Sequence, residues 1–206
     1  MGDDLLAKKW EASGSTVIVA ENGYIGSDKG KLFALARSQH SGAGYWPVGE
    51  EDRWSRLGVE LKPWRKDGRF LLLLPQRGFG PPGVAMPRRW QDNMLQALRR
   101  ITRRPIRVRE HPGRNVANRR TLEADLENCW AAITWASGAG LKAIAAGIPV
   151  FYGLPNWIGA AAAKPNLGIE SPFLGDRLPM FQRLAWSQWT ANEIRTGEPL
   201  ARLINA

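Results

Sequence analysis

Residues 131–152 read AAITWASGAGLKAIAAGIPVFY, and this stretch decides the fold. Its opening residues are apolar with the β-branched pair Ile133 and Thr134, so they read as a buried strand. Ser137-Gly138-Ala139-Gly140 then opens a helix. A serine ahead of a helical run is a natural N-cap, and small residues let a helix lie close to a sheet. The helix runs to Ala146 and is closed by Gly147. Residues 148–152 return to a strand. Strand, helix and strand joined by such short links form a βαβ unit with parallel strands.

The alternation extends towards the N-terminus. Residues 69–74, RFLLLL, form a strand stopped by Pro75, and a Gly/Pro loop follows over 76–87. Residues 90–102 set Trp90, Met94, Leu98 and Ile101 at helical spacing. Residues 105–110 alternate Ile106 and Val108 with Arg107 and Arg109, a strand ending at His111-Pro112-Gly113, and Thr121 caps a short helix over 121–126. The expected fold class is α/β, a Rossmann-like, doubly wound, mostly parallel sheet.

The flanks are less regular. Residues 16–20 read as a buried strand entering Glu21-Asn22-Gly23. Residues 26–64 are rich in Gly and Trp with only 31–37 briefly helical, and a long irregular segment in a compact domain is usually functional. Residues 177–195 carry Leu184, Trp186, Trp189 and Ile194 and read as one terminal helix ended by Gly197. The boundary falls at 64–68, giving an abbreviated N-terminal part over 1–66 and a Rossmann-like domain over 67–206.

The chain has 206 residues, 44% hydrophobic and 23% charged, enough for an ordinary core and too apolar for disorder. No apolar run reaches the roughly 18–20 residues needed to cross a bilayer. The start, MGDDLLAKKW, lacks the order of a signal peptide, so a cytoplasmic location is expected. A single cysteine, Cys129, excludes a disulfide framework and a cysteine-rich zinc site. With two histidines, His40 and His111, neither a metal site nor a tightly bound cofactor is expected. His40 lies in a Ser/Gly loop and reads as solvated. The net charge of +10, from 29 Lys and Arg against 19 Asp and Glu, suits a polyanionic partner, nucleic acid or nucleotide phosphates, or a basic surface with none. Ten tryptophans fit either packing or recognition of bases and sugars; where exposed, they suit a homodimer.

In open parallel sheets ligands bind beyond the carboxyl ends of the strands, so the residues following each strand form the candidate site. Ser137, Gly138 and Gly140 offer a helix N-terminus to a phosphate, with Lys142 adding charge, or are simply a cap and a close-packing turn. Their spacing fits neither the P-loop nor the dinucleotide fingerprint. His111 stands between Arg109 and Arg114, either a donor to a phosphate or a turn residue. Arg77, Gly78 and Tyr152 occupy further strand ends. Glu21 is the one acid in the set, either a general base or a structural partner of Arg77. Nine arginines (Arg99, Arg100, Arg103, Arg104, Arg107, Arg109, Arg114, Arg119 and Arg120) form either a nucleic-acid groove or a solvated face.

Residues 131–150 resemble the donor half of the GT-B glycosyltransferases, where a strand, a Ser/Gly turn, a helix and a G-x-P-V strand surround the nucleotide. His111-Pro112 resembles the HP motif, and Ser137 the serine motif, of bacterial sialyltransferase-like and capsule-type enzymes. Glu21-Asn22-Gly23 resembles their acidic motif, with Asn22 in place of the usual second acid. The chain as a whole is similar to a family of phage-encoded proteins through ENGYIG at 21–26, Pro63-Trp64-Arg65, the 107–112 strand end, the 134–137 turn and LAWSQW at 184–189.

These resemblances imply a glycosyltransferase using a UDP- or CMP-linked nucleotide sugar, with 1–66 as acceptor side and 67–206 as donor domain. Glu21 and His111 would be catalytic, and Arg77, Gly78, His111, Ser137, Gly138, Gly140, Lys142 and Tyr152 would hold the donor. The implied acceptor is a hydroxymethylated base of phage DNA in the host cytoplasm, or a host surface glycan. The alternative is a noncatalytic phage protein that binds nucleic acid through Arg99, Arg100, Arg103, Arg104, Arg114, Arg119 and Arg120.

Overall fold

The computed structural model describes residues 3–26, 30–38, 43–80, 82–111 and 120–205. His40, Pro112, Arg114 and Arg119 lie outside the described residues. The centre is a five-stranded parallel sheet in the order β4-β3-β5-β6-β7. Its strands are β3 (Phe70–Leu74), β4 (Ile106–Val108), β5 (Cys129–Thr134), β6 (Val150–Tyr152) and β7 (Lys164–Pro165). Every residue of β3 and β5 is buried, as the two continuous apolar runs require of strands covered on both faces.

The two faces alternate along each strand. Leu71, Leu73, Ala131 and Ile133 pack with Trp90, Met94 and Leu98 of helix α3 (Trp90–Ile101). Leu72, Leu74, Ala132 and Val150 belong to the larger core with Leu141 and Ile144 of α5 (Gly138–Ala145). The sheet is therefore wound on both sides, and the α/β class expected from 131–152 is what the chain adopts. Cys129 is fully buried at the start of β5, and burial pushes its thiol up to about 12, so it is no nucleophile.

A second sheet is antiparallel, ordered β1-β2-β8, with β1 (Ile18–Asn22), β2 (Leu32–Arg37) and β8 (Gln188–Thr190). Two expectations are corrected here. Residues 31–37 are not helical but form β2, paired with β1 on one side and β8 on the other. Leucine and alanine favour helices locally, and two flanking ladders override that preference. Residues 177–195 are not one helix either. They break into α6 (Leu178–Ala185), β8 and α7 (Ala191–Arg195), and α8 (Glu198–Ile204) follows Gly197. The break follows from local chemistry: the Ser187 hydroxyl donates to the Leu184 carbonyl at 2.8 Å, and Thr190 with Glu193 forms a capping box that starts α7.

Because β8 pairs with β2, a segment from beyond residue 67 completes the sheet of the N-terminal part. Arg53 of α2 (Arg53–Leu57) reinforces that closure. It pairs with Glu193 at 2.8 Å, donates to the Gln188 carbonyl at 2.9 Å and lies 3.9 Å from the Trp189 ring centroid. Burial raises the Glu193 carboxyl, but hydrogen bonds from Arg53 and from the Thr190 N–H and hydroxyl outweigh it and hold the group below its ordinary value.

The tryptophans resolve towards packing. Trp46, Trp54, Trp90, Trp130, Trp157, Trp186 and Trp189 are buried, Trp64 and Trp135 half-buried, and Trp10 of the N-terminal helix α1 (Asp3–Ala12) is 54% exposed. An exposed set suited to stacking or to a dimer is therefore reduced to Trp10. No helix among the described residues is long and apolar enough to cross a membrane.

Candidate functional site

A cleft of about 790 Å³ opens along the carboxyl edge of the parallel sheet. One wall is made of the segments that leave β3, β4 and β5: Gln76, Arg77, Gly78 and Phe79; Arg109, Glu110 and His111; Ser137, Gly138 and Lys142. The opposite wall comes from the antiparallel sheet, through Glu21, Asn22, Gly23, Tyr24 and Phe33. The topological rule for open parallel sheets thus brings together Arg77, Gly78, His111, Ser137, Gly138 and Lys142. Glu21 also lines the cleft, but from within β1 of the antiparallel sheet and not, as the sequence leads one to expect, from an end of the parallel one.

Ser137 is the N-cap of α5, and its Oγ accepts from the Ala139 N–H at 3.1 Å. A hydroxyl that accepts in this way still carries a proton to donate to a ligand. The turn is fixed from behind. Thr134, fully buried, donates to the Leu74 carbonyl at 3.3 Å and accepts from the Ser137 N–H at 3.0 Å. Gln76 accepts the Ala136 N–H at 2.9 Å, tying the loop after β3 to the turn after β5. Gly138 and Ala139 line the cleft at the positive end of the helix dipole, although within the turn the Ala139 N–H is taken by Ser137 Oγ and the Gly140 N–H by the Ser137 carbonyl at 2.9 Å.

Glu21 sits on β1 opposite Ala34, and its Oε1 accepts from the Tyr24 hydroxyl at 3.0 Å. Tyr24 is held in turn by Gln188, which is fully buried. The Gln188 Oε1 accepts from the Tyr24 N–H at 2.5 Å and from the Ile25 N–H at 3.0 Å, and its Nε2 donates to the Ile25 carbonyl at 3.0 Å. A methyl carbon on Gly138 would stand 3.7 Å from Tyr24 Cδ1, so the tyrosine ring borders the first turn of α5. Through Tyr24, the acid of one sheet approaches the helix N-terminus of the other.

Two of the expected donor residues lie elsewhere. Gly140 is buried, and a Cβ there would stand 3.0 Å from Thr134 Cγ2 and 3.1 Å from the Trp157 ring, so its small size serves close helix–sheet packing. Tyr152 pairs with Trp157, ring centroids 5.8 Å apart, and does not line the cleft.

The described arginines of the run divide between two edges of the sheet. Helix α3 runs back against the strands, which puts Arg99, Arg100, Arg103 and Arg104 at the amino edge of the sheet, away from the cleft. Arg104 there lies 3.9 Å from the Trp130 ring centroid, donates to the Gly68 carbonyl at 3.5 Å and pairs with Glu170 at 3.3 Å. Arg109 lines the cleft but is bound to Asp125 and donates to the Arg120 carbonyl at 2.8 Å. Arg120 also approaches Asp125, at 3.7 Å.

Tyr24, Gln76, Phe79 and Gln188 are the contributors that sequence reasoning leaves without a role. The one trace in the sequence is the polar pair Ser187-Gln188 set between Trp186 and Trp189. Among the described residues, no three His, Cys, Asp or Glu side chains gather where they would hold a metal ion. No protein family and no curated protein matches this chain.

Proposed function

We propose that the protein is a glycosyltransferase that moves a sugar from a nucleotide-sugar donor to an acceptor hydroxyl. The observation that carries this reading is the two-walled cleft, with Glu21 on one side and the capped N-terminus of α5 beside Arg77, His111 and Lys142 on the other. A donor diphosphate fits the basic wall, because N–H groups at a helix N-terminus and cationic side chains favour phosphate oxygens. As the bond breaks from the anomeric carbon to the nucleotide's phosphate oxygen, negative charge grows on the leaving group, UDP or CMP. The same donors then stabilise it more strongly than they did the intact sugar nucleotide. The acceptor oxygen attacks the anomeric carbon from the opposite wall, and its proton passes to Glu21, oriented by the Tyr24 hydroxyl. Attack from the face opposite the leaving group inverts the anomeric centre. The net charge of +10 supports a polyanionic acceptor, such as DNA carrying hydroxymethylated bases.

The test combines binding with transfer. Titration with UDP and CMP, followed by incubation of UDP- and CMP-sugars with hydroxymethylated and unmodified DNA, should give nucleotide binding and sugar transfer to the hydroxymethylated duplex. Glu21→Gln should keep nucleotide binding and lose transfer. Ser137→Asp should keep the helix cap but repel the diphosphate, so binding falls while the fold survives. Absence of binding by either nucleotide would refute the reading. Binding without transfer to any acceptor in Glu21-intact protein would leave a nucleotide-binding protein and remove the enzyme.

A further inference from the structure

We infer that Phe79 is the platform on which the donor's nucleobase stacks, an inference that rests on the nucleotide-sugar reading above. Phe79 lines the cleft yet is 68% exposed, the largest exposure among the large apolar side chains of the described residues. An aromatic ring this open on a cleft wall offers a flat face to a planar ligand. The Arg77 guanidinium lies over its ring, 4.7 Å from the centroid, which leaves the opposite face for a planar ligand. Glycines on both sides, Gly78 at φ +68° and Gly80 at φ +120°, give the backbone a course that side-chain-bearing residues rarely adopt.

The distance from the phosphate end is bounded by the chain. Gln76 accepts from Ala136 at 2.9 Å, immediately ahead of the α5 cap, and its N–H donates to Met86 Sδ at 3.2 Å. Phe79 is three residues further on, so its backbone lies within ~10 Å of that anchor. That reach matches the separation between base and diphosphate in one nucleotide. The other aromatic rings of the cleft are on the acceptor wall: Phe33 belongs to β2 across from Asn22, and Tyr24 donates its hydroxyl to Glu21 at 3.0 Å. Phe79 stands on the wall that carries the phosphate donors. Stacking reads the flat face common to all bases, so the platform should accept uracil and cytosine alike.

Calorimetric titration of the full chain with UDP and with inorganic pyrophosphate separates the base from the phosphates. Phe79→Ala should weaken UDP binding by about 5- to 150-fold, the range for loss of one aromatic–base stack, and leave pyrophosphate binding unchanged. Phe79→Trp should retain UDP affinity. Equal weakening of UDP and pyrophosphate would show that Phe79 only shapes the loop, and no change in either would show that the base lies elsewhere. Both results overturn the platform while leaving the nucleotide site standing. Failure of the unaltered protein to bind UDP at all would overturn the nucleotide-sugar reading and the platform with it.

Discussion

Gln188→Met is the substitution whose cost follows most directly from the structure. Methionine nearly matches glutamine in volume, so the change removes hydrogen bonds without opening a cavity. Gln188 is fully buried and makes three such bonds, from the Tyr24 N–H, from the Ile25 N–H and to the Ile25 carbonyl. Each is worth about 0.5–1.5 kcal/mol net, and a partner left buried and unpaired costs more. Ile25 is buried and its groups have no route to water, whereas the half-buried Tyr24 N–H can recover part of its loss. A destabilisation of about 2–4 kcal/mol is expected, which for a chain of this size lowers the melting temperature by about 5–15 °C. Urea unfolding followed by tryptophan fluorescence measures it, with the slope unchanged and the midpoint lowered. In protein still folded, sugar transfer should fall further than nucleotide binding, because Tyr24 orients Glu21 and not the phosphate wall. A change below ~0.5 kcal/mol would refute the account of Gln188 as the anchor of this loop.

Two glycines two residues apart should respond in opposite ways. Gly140→Ala places a Cβ against fully buried Thr134 and buried Trp157 and should destabilise by about 1–2 kcal/mol, whereas Gly138→Ala meets nothing nearer than 3.7 Å and should be neutral or stabilising in the same urea assay. Equal effects would refute the packing role of Gly140. The Glu193 carboxyl is lowered on folding, so its stabilising contribution is present above its ordinary value of 4.5 and is lost as pH falls through the lower folded value. Melting temperature should therefore drop below about pH 4.5, less steeply in Glu193→Gln. Parallel profiles would contradict this. Replacing Arg99, Arg100 and Arg103 together with alanine should leave UDP affinity within twofold in 0.15 M salt, since these residues occupy the edge away from the cleft and screening acts over ~8 Å. Arg77→Ala should lower it about tenfold or more, and a comparable loss in the triple variant would put the amino edge into the site.

What could be read from the sequence divides along physical lines. The parallel sheet was legible because strands buried on both faces are continuous apolar runs, as in RFLLLL and AAITW. The convergence of Arg77, His111 and Ser137 was legible because it follows from topology, in which the ends of parallel strands share an edge, whereas Glu21 reaches the same cleft from a second, antiparallel sheet that the sequence did not reveal. Strand β2 was not legible. Leu32, Ala34, Leu35 and Ala36 are good helix formers, and only the ladders to β1 and β8 make them extended. The C-terminal helix was over-read because Leu184, Trp186, Trp189 and Ile194 recur along the stretch without keeping a helical period, and the Thr190–Glu193 capping signature inside it marked a new start. Gly140 looked like part of a phosphate turn because packing and ligand binding select the same small residue. The supports of the site were hidden most deeply, since the bond between Tyr24 and Gln188 joins residues 164 positions apart.

That long bond orders events in time. While the chain is being synthesised, β3, α3, β4, β5, α5 and β6 are all available before residues 188–190 have been made, so the half of the molecule bearing Ser137 and Arg77 can assemble early. The hairpin carrying Glu21 waits. It lacks its third strand and the glutamine that positions Tyr24 until the later segment arrives, and contacts so distant in sequence are slow to close. Under the proposed reaction, a nascent chain would hold the leaving group's partners before it held the base. Clipping the chain ahead of Gln188 would return a finished molecule to that unproductive state.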